Sequence, residues 1–239
     1  MNAAESTIAT TLDLETQRRI LAQARAVMEA APMVRPVAIG GLPMSVRITS
    51  AGDLGWVADG TGYRYAPKDA RGYPWPRIPG EWIEISNRAV AADPRHDGRD
   101  VAWDSAILNW YEPGAKLGPH RDTSEHDRTR PIVTISIGYA ARWFVEVERH
   151  GFDELGRATL AFDRSRCRLP SGAVTVLAGE MRGAMHAIEG LILPEDYDAN
   201  PQTGMFYEAP EPSPIVDERG FVVPGRLSIT LREAGIRRC

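Results

Sequence analysis

The chain has 239 residues, of which 28 are lysine or arginine and 32 are aspartate or glutamate, so its formal net charge is −4. This length is enough for a β-rich domain with a substantial core. The acidic balance argues against a protein held to nucleic acid by bulk electrostatics, although a local basic groove would still meet phosphates. Cys167 and Cys239, the two cysteines, exclude a disulfide framework.

Two amphipathic helices are predicted in the first half of the chain. The first covers about 13–30, with Asp13 as its N-cap, because apolar residues recur at helical spacing from Leu14 to Met28. The second covers about 80–93, where apolar residues from Trp82 to Val90 recur on one face. We expect these helices to support a sheet.

Strands dominate the rest of the sequence. From Met44 onward the chain shows short alternating runs interrupted by glycine and proline, a pattern typical of β-structure. The later strand candidates are Ala106–Tyr111, Ile132–Tyr139, Arg142–Glu148, Ala158–Phe162, Ala173–Leu177 and Arg226–Arg232. Many short strands after two helices predict a mainly β, α+β protein: a double-sheet jelly roll with helical support.

Two long segments read as loops. One covers 60–80 and is rich in glycine, proline and aromatic residues, and the other covers 194–225 and is acidic and proline-rich. Loops of this length inside a compact domain are usually functional lids or disordered insertions. No leader and no stretch of roughly 20 apolar residues occurs in the sequence. We therefore expect a soluble, cytoplasmic protein with one domain over 1–239, and a monomer.

Three residues have the pattern of a metal site. His120 and Asp122 are two positions apart, so they share one face of a strand or of its end. His186 would supply a third ligand if the sheets close on one another. Two imidazoles and one carboxylate form the facial triad that binds non-haem Fe(II) and leaves positions for a bidentate oxo acid and for O2. A short motif such as His-x-Asp also occurs by chance, and a lone histidine is often a hydrogen-bonded structural residue.

Longer motifs surround the three residues. In chain order they are MSV from Met44, LGW from Leu54, GYRY from Gly62, PWP from Pro74, NWYEPGAKLGPHRD from Asn109, PIVTISIG from Pro131, His186, and RLSITLR from Arg226. Together, over most of 44–235, they resemble the AlkB family of Fe(II)/2-oxoglutarate-dependent dioxygenases. The resemblance implies a double-stranded β-helix, or jelly roll, over about 104–235 with an insertion at about 194–225. It also implies an N-terminal nucleotide-recognition lid at about 44–80.

The resemblance assigns roles to individual residues. The implied Fe(II) ligands, and so the catalytic residues, are His120, Asp122 and His186. The implied contacts of the cosubstrate 2-oxoglutarate are Asn109, Tyr111, Arg226, Ser228 and Arg232. The implied contacts of a flipped nucleobase are Trp56, Tyr63 and Tyr65. With O2 as the oxidant, these residues imply oxidative dealkylation of nucleobases in DNA or RNA, as in alkylation repair.

Each assignment has a structural alternative. The planar fork of Arg226 suits a carboxylate, but Arg226 and Arg232 are also what a solvated strand face would carry. Arg232 could support the site from behind its ligands. Tyr63 and Tyr65 fit the core of the lid as well as they fit a base contact. We expect Arg128 and Arg130, interleaved with acidic residues, to be solvated.

The sequence departs from the family pattern at three places. Ser228 replaces an asparagine, Thr123 and Ser124 replace a lysine and an acidic residue linked to base recognition, and the segment after His186 is longer. These departures leave open a second hypothesis, the same hydroxylation of another substrate: a hypermodified base, a protein side chain or a small molecule. A third hypothesis is a nucleic-acid-binding module without catalysis.

Overall fold

The computed structural model describes residues 2–38, 41–59, 62–152, 155, 157–193 and 225–235. Its helices are α1 (Leu14–Ala30) and α2 (Gly80–Ala92). Its strands in the described part of the chain are β1 (Ile8–Thr11), β2 (Arg47–Gly52), β3 (Gly55–Asp59), β4 (Gly62–Ala66), β5 (Ser105–Tyr111), β6 (Leu117–His120), β7 (Ile132–Gly138), β8 (Ala141–Phe152), β9 (Ala158–Leu169), β10 (Ala173–Leu177), β11 (Met185–Leu191) and β12 (Arg226–Arg232). Short 3-10 turns cover Glu5–Thr7 and Gly179–Gly183.

The larger of the two main sheets has six antiparallel strands in the order β1-β10-β7-β12-β5-β2. Side chains alternate across it. On β12, Leu227, Ile229 and Leu231 are fully buried in the same apolar cluster as α1 and α2. The polar residues between them therefore face the opposite side, toward the second sheet.

The smaller sheet has four antiparallel strands in the order β6-β11-β8-β9. A second apolar cluster joins it to the larger sheet, because Trp143 and Val145 of β8 pack in one group with Ile107 and Tyr111 of β5. The protein thus has three layers, helices on the first sheet and the first sheet on the second. This is the jelly roll with helical support that the sequence predicted, mainly β in class.

Both predicted helices are confirmed. Asp13 is the N-cap of α1, and its side chain accepts a hydrogen bond from the Thr16 backbone amide, which satisfies one of the donors left free at the start of a helix. Helix α2 begins at Gly80, and the side chain of Trp82 in its first turn is completely buried. No helix in the described residues has both the length and the apolar character needed to cross a membrane.

The segment 60–80, predicted as a loop, contains strand β4 (Gly62–Ala66), so the prediction was wrong for these residues. Strands β3 and β4 form an antiparallel hairpin in which Trp56 pairs with Tyr65. Trp75 packs so closely on Gly55 that a Cβ atom there would come within 2.1 Å of the indole. This hairpin lies inside the lid predicted at about 44–80. The insertion predicted at about 194–225 lies outside the described residues except for Gly225.

Candidate active site and metal centre

Three side chains meet between the two sheets. His120 is the last residue of β6 and pairs across the sheet with His186 of β11, and their ring centroids are 4.4 Å apart. Asp122 follows β6, and its Oδ2 lies 3.5 Å from His186 Nε2. One ligand atom from each of the three residues lies within 4.8 Å of the others. The predicted triad therefore converges on one point.

Both imidazoles present the same nitrogen to that point. His120 Nδ1 lies 2.8 Å from the Gly118 carbonyl oxygen, and His186 Nδ1 lies 3.1 Å from the Ala184 carbonyl oxygen. Each Nδ1–H donates to its carbonyl, which leaves each Nε2 with a lone pair for a metal ion. Two neutral imidazoles and one carboxylate are a donor set that suits Fe(II).

The charge state of the triad also suits a cation. Burial opposes ionisation of Asp122, but Arg232 and the neighbouring histidines outweigh it, so the pKa of the carboxyl group lies well below its usual range. Burial, reinforced by His186, lowers the pKa of His120. At neutral pH Asp122 is therefore an anionic carboxylate, and burial disfavours a proton on His120, so both residues suit a bound cation.

The cavity around the triad encloses about 540 Å³ of space, counting the part that opens to solvent. Its polar floor is formed by neighbouring strands of the larger sheet. Ser228 of β12 lies between Asn109 of β5 and Ser136 of β7 in the register of the sheet. The Ser136 hydroxyl is buried and has no hydrogen-bond partner among the described residues. Asn109, Tyr111, Ser228 and Arg232, all predicted cosubstrate contacts, line this cavity.

Arg226 lies two residues before Ser228 on β12 and pairs with Tyr111 of β5. Its side chain is fully buried, and Nη1 donates to the carbonyl oxygens of Tyr139 (2.7 Å) and Leu169 (3.1 Å). Nε and Nη2 have no partner in the part of the chain that the structure describes. Burial lowers the pKa of this guanidinium to about 10, so it stays charged at neutral pH. A buried cation with two free donors fits an external carboxylate, such as that of a dicarboxylic cosubstrate.

Two glycines allow β12 to begin at this place. Gly138 and Gly225 have φ values of 105° and 143°, in a region that favours glycine. A Cβ atom on Gly138 would lie 2.3 Å from the Gly225 carbonyl oxygen, and one on Gly225 would lie 2.4 Å from that of Tyr111. The close approach of the three strands therefore depends on both glycines, and with it the position of Arg226.

Arg232, at the other end of β12, is bound by protein carboxylates. Its Nη1 lies 2.9 Å from Asp122 Oδ1 and 2.6 Å from Glu125 Oε1. Burial opposes its charge, but Asp122, Tyr65 and Glu125 outweigh that effect and raise the pKa of Arg232. This geometry favours the alternative in which Arg232 supports an iron ligand. Its assignment as a 2-oxoglutarate contact stays a prediction, as do the other cosubstrate assignments.

The three predicted base contacts occupy different places. The Tyr65 hydroxyl donates to Glu125 Oε1 at 2.7 Å, so Tyr65 joins the lid hairpin to the interior. Trp56 stacks at 5.1 Å on Tyr63, which is 41% exposed. Trp56 also lines a cleft beside the lid, together with Arg64 and Lys68, which encloses about 1120 Å³ when the part that opens to solvent is counted. Their role in base binding stays a prediction.

Glu125 and Arg182 were not among the predicted site residues. The expectation that Arg128 and Arg130 are solvated was wrong for Arg130, which is 3% exposed and pairs with Glu233 at 2.9 Å. Glu125 is also buried, and its Oε2 accepts from Arg182 Nη2 at 2.9 Å. Their burial depends on contacts with remote parts of the chain, for which the local sequence carries no signal.

Comparison with known proteins agrees with this geometry. Residues 6–232 match the model of the 2OG-Fe(II) oxygenase superfamily. A protein of Escherichia coli strain K12, the alpha-ketoglutarate-dependent dioxygenase AlkB, is 35% identical over 167 residues, which cover 69% of this chain and 71% of the relative. The tRNA demethylase abh1 of Schizosaccharomyces pombe is 30% identical over 142 residues, 58% of this chain and 42% of the relative.

A solved structure shows the same fold. The structure of OsALKBH1 superposes with a TM-score of 0.66 at 21% identity, and the match covers 95% of each chain. At this identity the likeness concerns the fold alone. It agrees with the fold described for this chain.

Proposed function

The chain belongs to the AlkB family within the 2OG-Fe(II) oxygenase superfamily, and from that membership we propose that it removes N-linked alkyl groups from nucleobases of DNA or RNA by oxidation. The observation that carries the proposal is the triad of His120, Asp122 and His186 in one cavity, with a buried cation next to it. Arg226 lies on the same strand as Ser228 and pairs with Tyr111, both of which line the cavity, and two of its donors have no partner among the described residues.

The residues present fit the expected cofactors. Both Nε2 atoms and Asp122 would hold Fe(II), and the Arg226 fork would bind the distal carboxylate of 2-oxoglutarate. With 2-oxoglutarate and O2, the bound iron supplies the oxidation that hydroxylates a carbon attached to nitrogen, after which the alkyl group leaves as an aldehyde and the cosubstrate as succinate and CO2. The other cavity residues orient the reactants and exclude water.

The protein's own charges prepare the site before any reactant enters. Arg232 binds Asp122 Oδ1, which leaves Oδ2, the oxygen nearer to His186, for the metal. The carbonyls of Gly118 and Ala184 fix both imidazoles in the tautomer that binds a cation. Trp143 lies against His186 at 5.4 Å and closes the apolar side of the cavity.

The substrate class rests on the relatives and on the lid. The relative in Schizosaccharomyces pombe is named a tRNA demethylase. A base must leave its stack before an enzyme can reach an alkylated ring atom, and an aromatic lid such as Trp56 and Tyr63 would hold it. The cations Arg64 and Lys68 border the same cleft and suit a phosphate chain. We propose repair of alkylated nucleic acid, by a monomer in the cytoplasm, as the setting.

Mass spectrometry tests the proposal directly. Single-stranded oligonucleotides with N1-methyladenine or N3-methylcytosine are incubated with the protein, Fe(II), 2-oxoglutarate and ascorbate. We expect the wild type to remove the methyl group and the His186→Ala variant to leave it in place. Succinate release without loss of the methyl group would reject these bases and favour another substrate. Absence of succinate as well would favour the binding-module hypothesis.

Salt dependence separates nucleic acid from other substrates. Binding that neutralises phosphates weakens steeply with ionic strength, because condensed counterions are released, whereas binding of a neutral small molecule responds little. We therefore expect the KM for an oligonucleotide to rise steeply between low and physiological salt. A flat response would argue for the second hypothesis, hydroxylation of a substrate other than nucleic acid.

A further inference from the structure

Glu125 pairs with two arginines, Arg182 and Arg232, and each of them also binds Asp122. Arg232 Nη1 donates to Glu125 Oε1 at 2.6 Å and lies 2.9 Å from Asp122 Oδ1. Arg182 Nη2 donates to Glu125 Oε2 at 2.9 Å, and its Nη1 donates to the Asp122 backbone carbonyl at 2.9 Å. Asp122 is thus bound at its side chain by Arg232 and at its backbone carbonyl by Arg182, and both arginines pair with Glu125.

The group is buried and its charges balance. The side chains of Glu125 and Arg182 are 1% and 3% exposed, and those of Asp122 and Arg232 are each 9% exposed. Two carboxylates face two guanidinium groups, so loss of the charge on Glu125 would leave Arg232 with Asp122 alone and Arg182 without the carboxylate it binds. A buried network of this kind fixes geometry, because each member has only one low-energy arrangement.

The lid joins this network through one hydroxyl. Tyr65 of β4 donates to Glu125 Oε1, the same oxygen that accepts from Arg232. Tyr65 is sequentially remote from both partners, and its ring packs against the apolar cluster between the sheets. The chain of contacts runs from the lid to Glu125, then to Arg232, and then to the predicted iron ligand.

We propose that Glu125 is a positioning residue that fixes the Asp122 carboxylate for the metal and transmits the position of the lid hairpin to it through Tyr65. Arg232 and Arg182 carry the connection, and Glu125 itself does not touch the metal or the substrate. The inference deepens the proposed function and rests on it in one respect, the identity of the triad as a metal site.

Metal affinity, which needs no turnover, tests whether Glu125 positions Asp122 for the metal. Co(II) is titrated into the full-length Glu125→Gln variant under anaerobic conditions, and its ligand-field absorption reports both affinity and geometry. Partners behind metal ligands are worth roughly 10- to 100-fold in metal affinity. We expect a loss in that range and an altered spectrum. Wild-type affinity and spectrum in a folded variant would overturn the proposal.

Asp93→Asn is the matched control. Asp93 is also a buried carboxylate paired with an arginine, since its side chain is 3% exposed and lies 2.5 Å from Arg95, but it belongs to the end of α2. We expect Co(II) affinity in this variant to equal that of the wild type. If Glu125→Gln does not fold, Arg182→Lys tests the same connection, because a lysine keeps the charge but cannot reach both Glu125 and Asp122. A folded Arg182→Lys variant should also lose affinity, and wild-type affinity in it would overturn the proposal.

A double-mutant cycle tests whether Tyr65 connects the lid hairpin to Asp122 through Glu125. Tyr65→Phe removes one neutral hydrogen bond and should weaken Co(II) binding about 2- to 10-fold, whereas Tyr73→Phe, on the exposed loop after the hairpin, should have no effect. If Tyr65 acts through Glu125, the double variant Tyr65→Phe/Glu125→Gln binds Co(II) as weakly as Glu125→Gln alone. Additive losses, or no loss in Tyr65→Phe, would overturn the connection to the lid.

Oligonucleotide dealkylation is measured on the same proteins. A wild type that dealkylates none of the probes contradicts the proposed function, and the Co(II) cycle still decides the role of Glu125. Conversely, an active wild type with a negative Co(II) cycle keeps the proposed function and rejects the positioning role. The two failures are therefore distinguishable.

Discussion

The two ends of β12 carry the same side chain in opposite situations. Arg226 and Arg232 are both buried, and both lie on the strand face that points between the sheets. Arg226 contacts backbone carbonyls and keeps two free donors among the described residues. Arg232 binds two protein carboxylates. Burial lowers the pKa of the first guanidinium to about 10, while its carboxylate partners raise the pKa of the second.

This difference separates a ligand-binding cation from a structural one. A buried charge needs a counter-charge, and the described residues supply none to Arg226. This agrees with the proposal that an anionic cosubstrate binds there, whereas Arg232 pairs with the carboxylates of Asp122 and Glu125. Sequence position alone does not separate the two, because six residues along a strand keep both on the same face.

The largest expected difference between the two ends is in stability. Arg232→Met leaves the buried carboxylates of Asp122 and Glu125 without this cation, and breaking a buried ion pair costs about 3–5 kcal/mol. Arg226→Met loses two bonds to carbonyls but also removes an unpaired buried cation, so we expect it to cost less than about 2 kcal/mol. Urea unfolding of the metal-free proteins measures both values. Equal losses in the two variants would contradict the distinction.

The next difference is in cosubstrate affinity. Arg226→Met should weaken 2-oxoglutarate binding roughly 10- to 150-fold, because hydrogen bonds between charged groups are worth about 1.5–3 kcal/mol. Anaerobic calorimetric titration of the Fe(II)-loaded protein measures the dissociation constant. Arg166→Met is the control, since Arg166 pairs with Glu189 and is 60% exposed. An Arg226→Met variant that binds 2-oxoglutarate as tightly as the wild type would refute the assignment of Arg226.

Part of the candidate site was predictable from local strand geometry. Spacing by two predicted that His120 and Asp122 share one side, and the alternation of RLSITLR separates its apolar residues from its polar ones. The roles of His186 and Arg226 came from the family resemblance, because local spacing does not relate them to the other ligands. The β3–β4 hairpin has a local signal in the sequence, a Gly-Thr-Gly stretch at 60–62 followed by aromatic residues at alternate positions, Tyr63 and Tyr65. Seven of the twelve described strands followed from patterning, although β8 and β9 extend beyond their predicted ends, and β1, β6 and β11 were not predicted.

The burial of Glu125 has no signal in the local sequence. This residue stands in a polar stretch with exposed neighbours, Ser124 and His126, and local composition predicts a solvated residue. Its burial comes from Tyr65, Arg182 and Arg232, which are 60, 57 and 107 residues away in sequence. Only the closed fold brings these partners together, so the charge network around Asp122 is a property of the tertiary structure.

The smallest expected difference between the Arg226 and Arg232 ends of β12 is in the pH dependence of the unfolding free energy. Burial opposes the charge on Glu125, but Arg232 and the Tyr65 hydrogen bond outweigh it, so its pKa in the folded protein is below the ordinary 4.5. The pKa of Asp122 is lowered further. The unfolded chain therefore takes up these protons first as the pH falls. Their stabilisation is complete above about pH 4.5 and is lost as the pH falls through the folded pKa values.

The two arginine variants should consequently differ in acid. Each proton taken up on unfolding contributes up to about 1.4 kcal/mol per pH unit to the slope of the unfolding free energy. Arg232→Met removes the charge that lowers both pKa values, so its stability should fall less steeply below pH 4.5 than that of the wild type. Arg226→Met should keep the wild-type slope, because Arg226 is not among the charges that lower either pKa. Urea unfolding between pH 3 and 6 measures the slopes, and a flattened slope in Arg226→Met would mean that both ends of β12 hold protein carboxylates.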